Sequence, residues 1–209
     1  MLPTLEQLLT TFEAYNLDLW PMQILAYVLA IVALVLVFRR TPASDRIVTG
    51  IMAFLWLWTG IVFFLLYFAR VYIPAYAFGV IFIIHGILLA ADLFTPRLSY
   101  AYQGGGLAIV GLVLIAYAMV GYPLVGLIVG HRYPQSPPFG IAPCPLTVFT
   151  FGLYLLTNRP FPRRYLAVPL YWALSGVVPV SVGILEDIGL IISGIVATAM
   201  LVRRDKSAQ

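Results

Sequence analysis

Side chains that could do chemistry are scarce in this chain, and several of them lie in one connection. Residues 130–152 read GHRYPQSPPFGIAPCPLTVFTFG, which includes one of the two histidines and the single cysteine. Almost everything around this stretch is apolar. Its prolines exclude a regular helix over residues 134–138, so we predict a rigid loop that leads into a helix near Cys144.

Cys144 lies between Pro143 and Pro145, where the predicted helix begins. A helix N-terminus stabilises a thiolate, which can act as a nucleophile or as a ligand for a soft metal. The alternative is that Cys144 is a small apolar residue of the core and that the prolines only shape the loop.

A second group of ionisable residues, Glu186 and Asp187, is expected on the same side of the protein as His131 and Cys144. A thiolate, an imidazole and carboxylates together suit a transition metal such as zinc or copper. The sequence therefore predicts a metal site formed by His131, Cys144 and Glu186, provided that the helices carrying them are neighbours. One cysteine and one histidine have no diagnostic ligand spacing, so the purely structural interpretation stays open.

His85 and Asp92 form the second candidate site. They are seven residues apart on one face of a predicted helix, and ionisable groups inside a membrane usually face a pathway or a partner. They could line a proton or cation path. Alternatively, Asp92 lies at the membrane interface and His85 is bonded to a backbone carbonyl. Three further polar residues complete the predicted binding residues, namely Arg132, Tyr133 and Thr147.

Composition indicates that the solvent of this protein is lipid. Apolar residues make up 62% of the 209, charged residues only 10%, and the mean hydropathy is +1.00. Soluble domains do not reach such values. We therefore predict an all-α, polytopic transmembrane helix bundle, in which the lipid bilayer is the first partner.

Seven uncharged or nearly uncharged stretches predict seven membrane spans, at residues 20–38, 47–69, 71–91, 104–130, 139–157, 165–180 and 184–202. A span needs about 20 residues to cross the hydrocarbon layer. The fifth is short, so the alternative is six spans with a re-entrant segment at Cys144. The basic residues favour seven, since they then collect in the cytoplasmic loops and place the N-terminus outside. Residues 203–209 form a basic cytoplasmic tail.

Residues 1–19 precede the first span and predict an amphipathic helix at the outer interface. Thr4 and Gln7 have the spacing of a capping box, and leucines follow at helical intervals. We interpret this helix as an anchor whose apolar face lies among the lipid headgroups, with a lid or a docking element for a partner as the alternative.

The sequence also resembles a bacterial family of multispanning membrane proteins known only as a domain of unknown function. The resemblance rests on the following residues: Gly130, His131, Arg132, Tyr133, Pro134, Phe139, Gly140, Ala142 to Pro145, Thr147, Phe149, Thr150, Phe151 and Gly152, with Tyr15, Asn16, Trp20 and Pro21 near the first span. It implies a helical protein of the bacterial plasma (inner) membrane. It implies no activity, cofactor or catalytic residue.

Several functional classes are excluded or disfavoured by missing residues. The only lysine is Lys206, in the tail, so a retinal Schiff base has no partner in a span. Common hydrolase, P-loop and redox motifs are absent, which argues against an enzyme, although intramembrane enzymes often lack short motifs. No basic and aromatic pattern indicates nucleic-acid binding.

Two functional predictions remain. The first is a permease for a small solute or an ion, with an outward-facing site at the loop containing His131 and Cys144. The second is a non-catalytic binding or accessory subunit of a larger membrane complex, in contact with another membrane protein or with a second copy of itself.

Overall fold

The computed structural model describes residues 3–207, and this part of the chain is all-α, without a strand. Joining consecutive helical segments gives eight helices. They are α1 (Leu5–Asp18), α2 (Trp20–Phe38), α3 (Ser44–Arg70), α4 (Ala75–Ala91), α5 (Gly105–Ile128), α6 (Pro143–Leu155), α7 (Ala167–Ser175, preceded by the 3₁₀ segment Arg163–Leu166 and continued by Val177–Ser181) and α8 (Asp187–Ser207). A helix lies in each of the seven stretches predicted to be spans.

Three of these helices, α2, α3 and α5, are long and apolar enough to cross a membrane. Their lengths are 19, 27 and 24 residues, and their mean hydropathies are 2.5, 2.2 and 2.2. At about 1.5 Å per residue, each reaches or nearly reaches the roughly 30 Å of a hydrocarbon layer. Helices α4 and α6 are apolar but shorter.

Helix α6 is the centre of the bundle. All of its residues from Pro143 to Leu155 are buried, and it packs against α3, α5, α7 and α8. A helix that is apolar on every side belongs inside a protein or a membrane. It begins four residues later than the predicted fifth span because Pro143, at its first position, suits a helix start.

Close approach of α5 and α6 depends on two glycines. A Cβ atom added to Gly152 would lie 2.8 Å from the carbonyl oxygen of Gly111, and one added to Gly111 would lie 2.9 Å from that of Gly152. Small residues at such crossings let helix backbones approach closely and increase the van der Waals contact between the two helices.

Helices α3 and α5 each contain a π-helical segment, Thr59–Tyr67 and Tyr117–Gly121. A π-helix is rare and often marks a functional region, because its wider turn redirects the side chains that follow. Both segments contribute to the site described below.

Helix α1 begins as predicted: Gln7 N donates to Thr4 Oγ1 at 3.2 Å, and Thr4 N donates to Gln7 Oε1 at 3.0 Å. Its apolar face, however, is covered by protein. Phe12 is buried and stacks on Phe63 of α3 with ring centroids 5.6 Å apart. The interpretation as an anchor lying in the headgroups missed this packing, because hydrophobic periodicity does not reveal whether lipid or protein covers a face.

Tyr15 connects α1 to two other parts of the bundle. Its hydroxyl donates to Ile141 O at 3.0 Å and accepts from Trp58 Nε1 at 2.9 Å. Burial raises the pKa of Tyr15, so the hydroxyl keeps its proton and remains a donor.

The interhelical connections gather at two ends of the bundle. At the first, which we call the arginine-rich end, Arg40 donates to Ser99 Oγ at 3.1 Å, and Asn158 N donates to Ser99 O at 3.0 Å. Arg204 of α8 donates to Thr157 O at 2.7 Å. The connections after α2, α4 and α6 and the end of α8 therefore lie together.

At the second, which we call the His131 end, the connection from α5 to α6 meets α1 and the start of α8. Asn16 donates to the carbonyl oxygens of Pro134 and Ser136, at 2.6 and 2.8 Å. His131 contacts Glu186 immediately before α8.

Candidate functional site

The first part of the candidate site is a buried pair at the His131 end. His131 Nδ1 lies 3.0 Å from Glu186 Oε1 and 3.2 Å from Oε2, and both side chains are almost completely buried. Gly126 makes room for the pair, since a Cβ atom there would lie 3.2 Å from Glu186 Oε1. Tyr117, in the π-helical segment of α5, donates to Glu186 O at 2.7 Å and fixes the residue from the other side.

The second part is a cluster around Asp187, the first residue of α8. Tyr122 donates to Asp187 Oδ1 at 2.5 Å, and Cys144 Sγ donates to Oδ2 at 3.2 Å. All three side chains are buried. Because Cys144 faces a carboxylate, a thiolate would be repelled by a like charge, so the geometry favours the thiol over the predicted thiolate.

A cavity of about 130 Å³ opens beside this cluster. Aromatic side chains form a large part of its wall and come from α1, α3, α4 and α7 with the segment between α3 and α4. They are Phe12, Phe63, Phe64, Phe68, Tyr72, Phe78 and Trp172. Tyr122, Cys144 and Asp187 supply its polar end. The indole Nε1 of Trp172 is buried and makes no hydrogen bond of good geometry, although the weak acceptor Cys144 lies beside it. The cavity therefore combines an apolar wall with one carboxyl group and one unsatisfied donor.

The predicted metal ligands do not assemble into one site. His131 pairs with Glu186, whereas Cys144 pairs with Asp187. Over residues 3–207, no group of three or more His, Cys, Asp or Glu side chains is placed to hold a metal ion. The donor set thus does not fit zinc or copper, although the helices that carry it are neighbours, as the prediction required.

The three other polar candidates of this region lie apart from the cavity. Arg132 and Tyr133 are exposed, Tyr133 by 59%. Thr147 is buried, and its hydroxyl donates to Pro143 O at 2.7 Å, within its own helix. The structure gives none of them a place in the cavity wall.

His85 and Asp92 lie on α4 and at its end, and each has structural partners. His85 Nε2 is 3.2 Å from the hydroxyl of Tyr154, and Nδ1 has no partner. Asp92 accepts hydrogen bonds from the backbone N–H groups of Arg97 and Leu98 at 3.1 Å, and from Tyr165 at 2.8 Å. Asp92 therefore holds the connection after α4, and the geometry does not favour the cation path predicted through this pair.

Comparison with known proteins gives one result. A family of unknown function, DUF6064, matches residues 5–209. The chain belongs to this family. Searches of curated proteins and of solved structures found no match. Family membership confirms that the chain belongs to a family of unknown function, and it adds no activity.

Two polar residues of the candidate site were missed in the sequence, Tyr122 and Trp172. Each lies in an apolar stretch where an aromatic residue is common, and neither has a motif around it. They acquire a role only because α5, α7 and α8 bring them to Asp187, so no local signal could have identified them.

The buried His131–Glu186 pair of the DUF6064 chain gives a stability prediction. His131→Leu should lower the free energy of unfolding by about 3 kcal/mol, because it leaves a buried carboxyl group without its partner. The double variant His131→Leu/Glu186→Met should recover most of that loss, since neither polar group then remains. Thermal unfolding in detergent measures both. A double variant as unstable as the sum of the two single variants would mean that the two residues act independently.

Proposed function

We propose that this protein is a multi-pass protein of the bacterial inner membrane that acts as a permease for a small solute, and that the aromatic cavity is its solute site. The cavity is the observation that carries the proposal. Ligand sites are concave and mainly apolar, with a few convergent polar groups that orient the ligand. A wall of aromatic side chains ending in Asp187, Tyr122 and Cys144 has this form.

Seven spans, α2 to α8, are part of the proposal. Helices α4 and α8 are supported as spans by apolar side chains that project from the bundle, as expected of surfaces covered by lipid. Ile84 and Ile87 of α4 are each 57% exposed, and Ile192 and Ile195 of α8 are 55% and 53% exposed. Water-soluble proteins rarely expose large contiguous apolar surfaces.

An odd number of crossings after α1 is supported by the two ends of the bundle. In the six-span alternative, the segment at Cys144 would return to its own side, and the connection after α6 would join the His131 end. Instead, Asn158 is bonded to Ser99, and Arg204 is bonded to Thr157 and Arg159, at the arginine-rich end.

The orientation proposed is N-terminus outside and C-terminus in the cytoplasm. Under this arrangement the cytoplasmic side holds ten of the twelve basic residues. They are Arg39, Arg40, Arg46, Arg97, Arg159, Arg163, Arg164, Arg203, Arg204 and Lys206. Basic residues concentrate in cytoplasmic loops, which supports this choice. The cavity would then lie near the outer face.

The solute class follows from the wall of the cavity. An engineered cavity of about 150 Å³ with apolar walls takes up benzene, so this one has room for a solute of about the size of benzene. The apolar wall favours an organic solute over a hydrated inorganic ion, whose water shell it cannot replace.

Filling the cavity tests the proposal. Ser175 lies in its wall, on α7, and Ser181 is exposed on the same helix. In lipid nanodiscs, benzyl alcohol should bind to the wild type and to Ser181→Phe, and Ser175→Phe should weaken this binding at least tenfold, by roughly 1.4 kcal/mol or more. Calorimetry measures the affinity. Equal binding by Ser175→Phe would remove the cavity from the proposal.

Binding without movement of the solute into proteoliposomes would favour the other function predicted from the sequence, a non-catalytic binding subunit. No lipid-soluble probe can decide this point, because it crosses bilayers unaided. A permanently charged solute is needed.

A further inference from the structure

The carboxyl group of Asp187 lies at the cavity without a cationic partner. Its side chain is buried, and its oxygens accept hydrogen bonds from two neutral groups, Tyr122 and Cys144. Among residues 3–207 described by the structure, the ion pairs join Arg40 to Asp45, His131 to Glu186 and Arg204 to Asp205, so Asp187 has no place in them. Buried carboxylates are normally paired with a cation or a metal.

The basic groups at this end of the bundle are exposed or have other partners. His131 is bonded to Glu186, the residue that precedes Asp187. Arg132 is exposed, and Arg70 lies over the ring of Tyr67, 5.2 Å from its centroid. Burial without a cationic partner favours the neutral form of this carboxyl group, so it becomes the negative half of an ion pair only when another molecule brings a positive charge into the cavity.

The walls of the cavity suit a cation with an apolar surface. Phe64 and Phe78 meet Trp172 edge-on, with ring centroids 5.3 and 5.4 Å apart. Aromatic rings attract organic ammonium groups through their electron-rich faces, by about 2 kcal/mol or more when water is excluded. A quaternary ammonium group loses little on leaving water compared with a small inorganic cation, and its methyl groups pack on rings.

The unsatisfied Nε1 of Trp172 adds a second requirement. It is a buried donor in the cavity wall. A ligand that presents a hydroxyl or carbonyl oxygen would satisfy it, which offsets the cost of a buried polar group without a partner.

We infer that the cavity binds a small organic cation, an ammonium compound with a methylated or otherwise apolar surface and one hydrogen-bond acceptor. The Asp187 carboxylate supplies the opposite charge, the aromatic wall covers the methyl groups, and Trp172 donates to the acceptor. This inference names the substrate class of the permease and rests on the proposed function.

Choline and 3,3-dimethylbutan-1-ol form a matched pair of probes, because a carbon atom replaces the nitrogen and the shape is the same. In nanodiscs containing the full chain, choline should bind at least roughly tenfold more tightly than the neutral alcohol. Asp187→Asn should abolish this preference and leave the affinity for the alcohol nearly unchanged. Asp18→Asn, a carboxylate on α1 that contacts Tyr67 outside the cavity, is the control and should keep the preference.

If Asp187→Asn does not fold, the affinities of the wild-type protein for the two probes still test the inference. Equal affinities for choline and the alcohol would overturn the organic-cation inference and leave the solute site standing. Absence of binding by choline, the alcohol and benzyl alcohol would overturn both. Uptake of radiolabelled choline into proteoliposomes, absent in Ser175→Phe, would support both.

Discussion

Replacing Gly152 by valine should prevent formation of the native bundle. The first added carbon would lie 2.5 Å from Ile115 Cγ1 and 2.8 Å from Gly111 O. Gly111 O is a backbone atom of α5, so no side-chain rotation can relieve this contact. Overpacking of this kind costs about 3 kcal/mol, and the two further methyl groups of valine add to it. The expected result is loss of the monodisperse protein peak in size-exclusion chromatography.

Gly106→Val is the matched control for this substitution. Gly106 is in the first turn of α5, and a Cβ atom there meets no other atom within 4 Å. The control should unfold at the wild-type temperature or above it, since glycine is a poor helix former. If Gly152→Val gave the same monodisperse peak and unfolding temperature as Gly106→Val, the crossing of α5 and α6 would not depend on close backbone contact.

The second large effect concerns the sidedness of the connections. In a Cys144→Ser background, Tyr133→Cys should react with an impermeant maleimide in intact cells, whereas Ala43→Cys and Pro160→Cys should react only after the membrane is opened. All three positions are exposed, so access to the reagent depends on the membrane alone. The labelling should change from nearly complete to background between the two groups.

Pro160 distinguishes seven spans from six. It follows α6, so a re-entrant α6 would place it outside, beside Tyr133. Labelling of Pro160→Cys in intact cells would therefore contradict the seven-span proposal, and labelling of Ala43→Cys would contradict the orientation. Both variants should be expressed at the wild-type level, because neither side chain is buried.

Hydropathy predicted the helical class and the positions of the helices well, because a lipid-compatible helix is marked by composition alone. Helix ends were predicted less well. The third predicted span began at residue 71, but α4 begins at Ala75, since Pro74 lacks an N–H group and is better placed before a helix than inside it.

The site was predicted only in part. Counting the spans predicted that four residues lie at the same end of the bundle, namely His131, Cys144, Glu186 and Asp187. The structure brings them together in two pairs. Which residue pairs with which could not be predicted, because this depends on the rotation of α8 against α6. The aromatic cavity had no signal either, since its wall is assembled from residues that are distant in the sequence.

The complete burial of α6 has a consequence for biosynthesis. As a span of the proposed seven-span bundle, α6 would enter the membrane before α7 and α8 exist, and lipid would temporarily cover the face that α8 later occupies. Its threonines lower the free-energy cost of this exposure to lipid. Thr147 and Thr150 donate to the carbonyl oxygens of Pro143 and Leu146, one turn earlier in the same helix. With their hydroxyl protons already satisfied, they need no partner from a later helix, and the newly inserted α6 can remain in hydrocarbon until the last helix arrives.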